Sequence, residues 1–379
     1  MKYYLIAGEA SGDLQGAALV EAIRNADPAA DIRCWGGDLM FKAGATVVKH
    51  YRDLAFMGFV EVVKNLPTIL RNFRFAKTDI LAFGPDCLIL IDYPGFNLRM
   101  AKWAKKQKLR VFYYISPQLW AWHTSRVEII RECVERMFVI FPFEVDFYKK
   151  HGVEVSFIGH PLVKKIDSHP TAPDFFTRNK LSPQKPIIAL LPGSRKQEIA
   201  RMLQVMLHVS ALFPDYQFVV AGAPSLEKAF YQPFLRAFPT VKMLEGQTYD
   251  LLQHAIAALV TSGTATLEAA LFNVPQVVCY KGGAVSFFFA RKLVNKDLKF
   301  ISIVNLIADE RVVEELIQNN FTSEKAADNL RRLLQVEHRN QVLKGYEKLR
   351  KQIDTHGGAA LAASQIVAAL QISTKRMLE

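Results

Sequence analysis

Short apolar runs, each of strand length, alternate with stretches of helical periodicity along the whole chain, and this alternation limits the fold more than any other feature of the sequence. Parallel strands need a crossover between them and a helix supplies one, so the pattern specifies parallel sheets covered by helices, an α/β class. In the first half the runs Tyr3–Ala7, Asp31–Trp35, Cys87–Ile91, Val111–Ile115, Met137–Ile140 and Val155–Ile158 are expected to be strands. In the second half the candidates are Ile187–Leu191, Gln217–Val220, Lys242–Leu244, Ala257–Val260 and Gln276–Cys279. The polar, proline-bearing stretch Lys165–Pro173 has no periodicity, and it is expected to separate a domain at 1–165 from one at 174–345, with 166–173 as linker. A chain of 379 residues, 50% of them hydrophobic, can fill both cores. From Asp309 onward the pattern reads as helices, ending in the Ala-rich Gly357–Leu370.

The net charge of +12 points to an anionic partner, but the basic residues are scattered rather than gathered in a tail or stripe. Phosphorylated small molecules and anionic membrane surfaces fit that distribution better than duplex nucleic acid, which is not an expected partner. Cys34, Cys87, Cys133 and Cys279 form no Cys-x-x-Cys pair, so neither a zinc knuckle nor a disulfide framework is indicated, in keeping with a reducing cytoplasm. The amino terminus enters a strand-like run without signal-peptide architecture, and no apolar run approaches membrane-spanning length, so a soluble or peripheral protein is expected.

Ligands of open α/β sheets bind beyond the carboxyl ends of the strands, which makes the loops there the places to look. After the first strand comes Gly8-Glu9-Ala10-Ser11-Gly12-Asp13, whose spacing is not Gly-x-Gly-x-x-Gly; Glu9, Ser11 and Asp13 bring polar groups to the cleft edge, or Ser11 or Asp13 caps the next helix. After Leu88–Ile91 comes Asp92-Tyr93-Pro94-Gly95-Phe96-Asn97. A carboxylate at a strand tip is partly buried, which raises its pKa and suits it to act as a base; the alternative is an Asp that starts a turn before Pro and Gly. Trp120 and Trp122, in the loop after Val111–Ile115, need something to pack on, whether a sugar, a lipid chain or the other domain.

Opening the second half, Leu191-Pro192-Gly193-Ser194-Arg195 leads into a helix with Glu198 in its first turn, so Arg195 and the local N–H groups can grip a pyrophosphate together, unless Arg195 is a plain surface residue. Ile256–Val260 then runs into Thr261-Ser262-Gly263-Thr264-Ala265-Thr266-Leu267-Glu268, a strand, a tight turn and a helix start near Thr264. Unpaired N–H groups there favour phosphate, hydroxyls of Ser262, Thr264 and Thr266 add donors, and Glu268, one turn in, is placed for a ribose diol; an ordinary N-capped helix is the other reading. No Walker pattern and no Asp-x-Asp occur, so neither a metal nor another cofactor is expected, and Arg195 with the helix ends would neutralise a diphosphate. Two greasy stretches, Phe56–Leu70 and Ala284–Val294, interleave apolar residues with cations in a way that suits an interfacial helix on anionic lipid as well as a core face.

Taken together, these pieces resemble the bacterial lipid-A-disaccharide synthases, inverting glycosyltransferases of the GT-B type. The matching segments are Ala7–Asp13, Phe56–Val62, Ile91–Asn97, Ser116–Trp122, Ile158–Pro161, Leu191–Arg195, Ser262–Glu268 and Val304–Leu306, in the family's order and over roughly residues 3 to 310, with a looser match in the helical tail. The resemblance implies two Rossmann-like domains facing a central cleft, with a tail at 346–379 that packs back on an amino-terminal domain and is exchanged between the subunits of a homodimer. It implies transfer of 2,3-diacylglucosamine from its UDP derivative to the 6-hydroxyl of 2,3-diacylglucosamine 1-phosphate, giving the β-1′,6 disaccharide and UDP. Asp92 is then the candidate base. Arg195, Ser194, Ser262, Gly263, Thr264, Glu268 and Asn305 would hold the donor, with Asn305 after a strand-like Phe300–Val304, and Glu9 and Ser11 would orient acceptor or sugar. Met57, Phe59, Val60, Val63 and Leu66 would meet acyl chains and lipids at the cytoplasmic face of the inner membrane. Another GT-B enzyme acting on a UDP-sugar, such as a peptidoglycan-type glycosyltransferase or an epimerase, is the nearest competing reading, and a non-catalytic phospholipid- or nucleotide-binding module is the next.

Overall fold

The buried apolar runs become the strands of two parallel sheets in the computed structural model, which describes residues 1–54, 66–121, 124–282, 299–354 and 357–378. The first sheet takes β1 (Lys2–Ala7), β2 (Asp31–Gly36), β3 (Thr46–His50), β4 (Cys87–Ile91), β5 (Arg110–Tyr114), β6 (Arg136–Val139) and β7 (Val155–Phe157). The second takes β8 (Ile187–Leu191), β9 (Gln217–Gly222), β10 (Lys242–Glu245), β11 (Ala255–Thr261), β12 (Gln276–Tyr280) and β13 (Glu314–Ile317). Each of the strand candidates named for the two halves forms a strand. Cys87–Ile91 and Ile187–Leu191 are buried at every position, because helices cover both faces of a parallel sheet and leave no solvated side.

Two strands were not expected. β3 and β13 are both sheet edges, held by one neighbour each, and need less apolar character than the central strands. β13 corrects the expectation of helices alone after Asp309: Glu314 and Glu315 hide a short edge strand in the sequence. A second correction falls at Phe300–Val304, expected to be strand-like, where the helix Ile303–Ala308 begins instead. Ser302 decides it, since its side chain accepts from the Asn305 N–H at 3.2 Å and caps the helix.

Strand order runs β3-β2-β1-β4-β5-β6-β7 in the first sheet and β10-β9-β8-β11-β12-β13 in the second. In each, the chain winds outward in one direction from β1 or β8 and then returns to start the other half beside it. The carboxyl ends of β1 and β4, and those of β8 and β11, therefore flank the point where a crevice opens and ligands of such sheets bind. Register brings Ala7 opposite Ile91 and Leu191 opposite Val260, so the loops that follow start side by side.

Two compact units result, one of residues 1–161 with the carboxyl-terminal helix, the other Leu162–Asp354. Residues 166–173, read from the sequence as a linker, belong to the second unit and are fastened there: His169 Nε2 meets Asp250 Oδ1 at 2.8 Å, and Ala172 is buried in that unit's core. The helix Val336–Ile353 also stays with the second unit, Tyr346 being buried against Gln276, so the tail proper begins later than 346. That tail, Gly358–Leu378, packs on the helix Ala10–Ala26 of its own chain and buries Ala362, Ala363, Ile366, Val367 and Leu370. Gln365 Oε1 accepts from Arg136 Nη1 at 3.0 Å and from Ser156 Oγ at 2.8 Å, tying the tail to β6 and β7. Among the described residues no helix is long and apolar enough to cross a membrane.

Candidate active site

Asp92 is the first residue past β4, and its backbone is held from several sides. Both Asp92 and Tyr93 have positive φ, at 42° and 50°, a conformation that Asp adopts more readily than most residues and that persists only where the surroundings fix it. Asn97, fully buried on the first turns of the helix Pro94–Lys106, fixes it: Nδ2 donates to the carbonyl oxygens of Ile6 at 3.3 Å, Ile91 at 3.1 Å and Asp92 at 2.8 Å. The Tyr113 hydroxyl donates to the same Asp92 oxygen at 2.6 Å. Gly8 allows the remaining contact, because a Cβ there would lie 2.3 Å from the Tyr93 ring. With that ring seated on the loop after β1, Glu9 approaches Asp92. Burial first and the Glu9 charge second push the Asp92 carboxyl up to about 6, while the Tyr93 backbone N–H partly opposes them.

Glu9 and Ser11 are joined, Ser11 Oγ donating to Glu9 Oε1 at 2.6 Å. Asp13 is not available to a ligand. It is buried, and its oxygens accept from the N–H groups of Gly37 at 2.7 Å, Met40 at 3.1 Å and Leu39 at 3.2 Å, capping the helix Asp38–Lys42 rather than its own helix. The loop after β5 rests on a second buried acid. Glu144 accepts from the Phe141 and Ile140 N–H groups at 3.0 and 3.2 Å, and burial raises its pKa to about 7. Ser116 and Tyr148 share a hydrogen bond of 2.8 Å beside it. Trp120 packs edge-on against Phe143 at 4.9 Å and Phe141 at 6.4 Å, so its partner is the protein; Trp122 lies outside the described residues.

In the second unit Arg195 is the exposed N-cap residue of the helix Lys196–Ser210, and Ser194 beside it is exposed. Glu198 reaches back to accept the Ser194 N–H at 3.1 Å; with φ of 110°, Gly193 makes the turn that a side chain would close, since a Cβ would meet Glu198 Oε2 at 2.2 Å. Across the switch point, Gly263 has φ of 151° and an open space where a Cβ would stand, and Thr264 starts the helix Thr264–Leu271 from an exposed position. Hydroxyls divide: Ser262 Oγ donates to Ile301 O at 2.8 Å and Thr266 Oγ1 to Gly263 O at 2.8 Å, so both are spent inside the protein. Glu268 is half-buried and accepts from the Tyr249 hydroxyl at 2.9 Å. Burial raises its pKa, against the pull of Tyr249 and Lys165.

Asn305 has no polar capacity left for a ligand. Its Oδ1 accepts from Val312 N and Val313 N, each at 2.9 Å, and its Nδ2 donates to Val313 O and Glu315 Oε1, each at 2.9 Å. Glu315 in turn accepts from Ile301 N at 3.0 Å and Ser302 N at 2.9 Å. Asn305 thus shapes the segment against which Ser262 leans, and contact with the donor is not its role here. Of the residues expected at the membrane, Met57, Phe59, Val60 and Val63 lie outside the described residues; the helix Leu66–Phe83 begins at Leu66. The triple phenylalanine at 287–289 lies outside them too.

The model of the lipid-A-disaccharide synthetase family matches residues 3–369. The chain belongs to that family. Two relatives described as lipid-A-disaccharide synthase are similar throughout: that of Geobacter metallireducens is 39% identical over 93% of both chains, and that of Trichlorobacter lovleyi 41% identical over 87% of both. Among solved structures, the glycosyltransferase of kitacinnamycin superposes with a TM-score of 0.67 at 14% identity, covering 97% of this chain and 98% of that one, a likeness of fold. The family's members are glycosyltransferases of lipid A biosynthesis, and the architecture is GT-B, two Rossmann-like units with a helical carboxyl-terminal tail.

Asn97, Tyr113 and Tyr249 were not singled out from the sequence. Asn97 stands inside the quoted Ile91–Asn97 segment, five residues past Asp92, but its task depends on which strands are neighbours. A consequence for stability follows from Asp92. Between about pH 4 and 6 the folded chain holds a proton that the unfolded chain has lost, so stability falls as pH rises through that window. Asp92→Asn removes this cost and keeps a residue suited to positive φ. The variant is expected to melt above the wild type at about pH 7.5 and to lose that advantage below about pH 4, as read by calorimetry; a variant less stable at both would contradict the buried-charge account.

Proposed function

We propose that this chain transfers 2,3-diacylglucosamine from its UDP derivative to the 6-hydroxyl of 2,3-diacylglucosamine 1-phosphate, with Asp92 as general base. The observation that carries the assignment of the base is a half-buried carboxylate at the β4 tip, its backbone fixed by Asn97 and its pKa pushed up to about 6, while family membership carries the reaction. At neutral pH such a group is ionised yet far more basic than an ordinary aspartate. It takes the proton from the acceptor hydroxyl as that oxygen attacks the anomeric carbon from the face opposite UDP, which leaves with the bonding pair; the configuration inverts. Glu9, linked to Ser11, stands beside Asp92, and its charge adds to the basicity of that carboxyl.

Charge builds on the departing diphosphate, and the second unit supplies positive ends. Arg195, exposed at its helix start, the N–H groups of the Thr264–Leu271 helix and Thr264 Oγ1 are suited to bind it, with Gly263 leaving room for phosphate oxygens. Ser194 lies next to Arg195, and Glu268 takes the ribose hydroxyls. Ser262 and Asn305 support this turn from behind. Incubating the protein with both acylated glucosamines in detergent should give disaccharide and UDP; no product overturns the assignment. Arg195→Ala should weaken UDP binding about 10- to 100-fold, the range for losing a hydrogen bond to a charged group, and an unchanged affinity removes Arg195 from the site.

Both substrates are amphiphiles, so the enzyme is proposed to work as a peripheral protein at the cytoplasmic face of the inner membrane. The helix Leu66–Phe83 supports this: Leu70 and Leu81, three turns apart on one face, are 58% and 59% exposed, with exposed Arg74 between them. Leu70→Ser with Leu81→Ser should reduce sedimentation with anionic vesicles without lowering the melting temperature; unchanged sedimentation counts against this face.

A further inference from the structure

Tyr249 belongs to the helix Thr248–His254, which follows β10, and its hydroxyl donates to Glu268 Oε1 at 2.9 Å. The ring cannot swing freely. Lys165 Nζ lies 5.1 Å from its centroid, the His169 ring meets it at 5.3 Å and 87°, and Phe272 packs at 5.2 Å. His169 is itself held by Asp250 at 2.8 Å, and Arg178 donates to the other oxygen of the same carboxylate at 2.8 Å. A chain of contacts from residues 165–178 therefore fixes the Tyr249 hydroxyl, and through it one oxygen of Glu268.

A carboxylate offers about four lone-pair sites. Tyr249 occupies one on Oε1, and among the described residues no other hydrogen bond reaches this carboxylate. The remaining sites include all of Oε2. Two vicinal hydroxyls donate in a fixed geometry, and only a carboxylate held in one rotamer meets both at no further entropic cost; a freely turning one can satisfy a single hydroxyl almost as well. Donation from Tyr249, with the nearby Lys165 cation, also favours the ionised form that burial disfavours. We propose that Tyr249 is a positioning residue that sets the selectivity of this site for an intact ribose diol, by holding the Glu268 carboxylate where it accepts from both hydroxyls. The proposal rests on the assignment of Glu268 to the ribose.

The test is calorimetric titration of wild type, Tyr249→Phe and Glu268→Ala with UDP, 2′-deoxy-UDP and 3′-deoxy-UDP. Phe keeps the ring and its packing, so the fold is not at stake. Wild type should prefer UDP over each deoxy ligand by roughly tenfold or more, and Tyr249→Phe should lose most of that preference while binding the deoxy ligands within about twofold of wild type. If Glu268→Ala loses the preference and Tyr249→Phe keeps it, the inference fails and the ribose assignment stands. If Glu268→Ala keeps it, the ribose assignment fails and the inference with it. Equal weakening of all three ligands by Tyr249→Phe assigns the hydroxyl a general structural role and also overturns the inference.

Discussion

Asn97 closes the switch point of the first sheet by sharing its two amide hydrogens among three carbonyl oxygens, those of Ile6, Ile91 and Asp92. Parallel strands leave their last carbonyls without ladder partners where the chain turns away, and buried carbonyls without donors are costly. One amide answers that need for β1 and β4 together and, in doing so, sets the backbone of the residue proposed as base. The positive φ of Asp92 and Tyr93 and the seat of Tyr93 on Gly8 lie directly beside this clamp, and Glu9 approaches Asp92 from the same loop. Architecture and basicity thus meet at one residue.

The two units use one topology for opposite electrostatic ends. At the first switch point carboxylates gather: Asp92 and Glu9 at the mouth, with Glu144 buried behind the loop after β5. At the second, a helix start and Arg195 present positive ends, while Glu198 is turned back onto the Ser194 N–H and Glu268 is set a turn into its helix and engaged by Tyr249. The proposed base and the proposed leaving-group site need opposite fields, and one topology can carry both because loops, not strands, bear the charged groups.

Much of this was legible in the sequence. Cys87–Ile91, between two aspartates, and Ile187–Leu191, between two prolines, are continuous apolar runs of strand length, the pattern of strands buried on both faces, so their bounds and the loops after them could be placed directly. β13 and the start of Ile303–Ala308 were not legible, since an edge strand tolerates two glutamates and a single Ser302 cap overrides an apolar run. The second limit concerns direction. Sequence shows that Ser262, Asp13 and Asn305 are polar and near the right loops, but not that each spends its hydrogen bonds inward. Tyr249 stood too far from Glu268 along the chain for any local pattern to link them.

The most direct test of Asp92 as base is the pH dependence of kcat/KM, which reports groups of the free enzyme. Activity should rise with pH through a midpoint near 6, the value to which burial and Glu9 push this carboxyl, and then level off. Asp92→Asn should abolish turnover while leaving UDP affinity within about twofold of wild type. A rate that stays flat from about pH 5 to 8, or an Asp92→Asn variant with near wild-type turnover, would contradict the assignment.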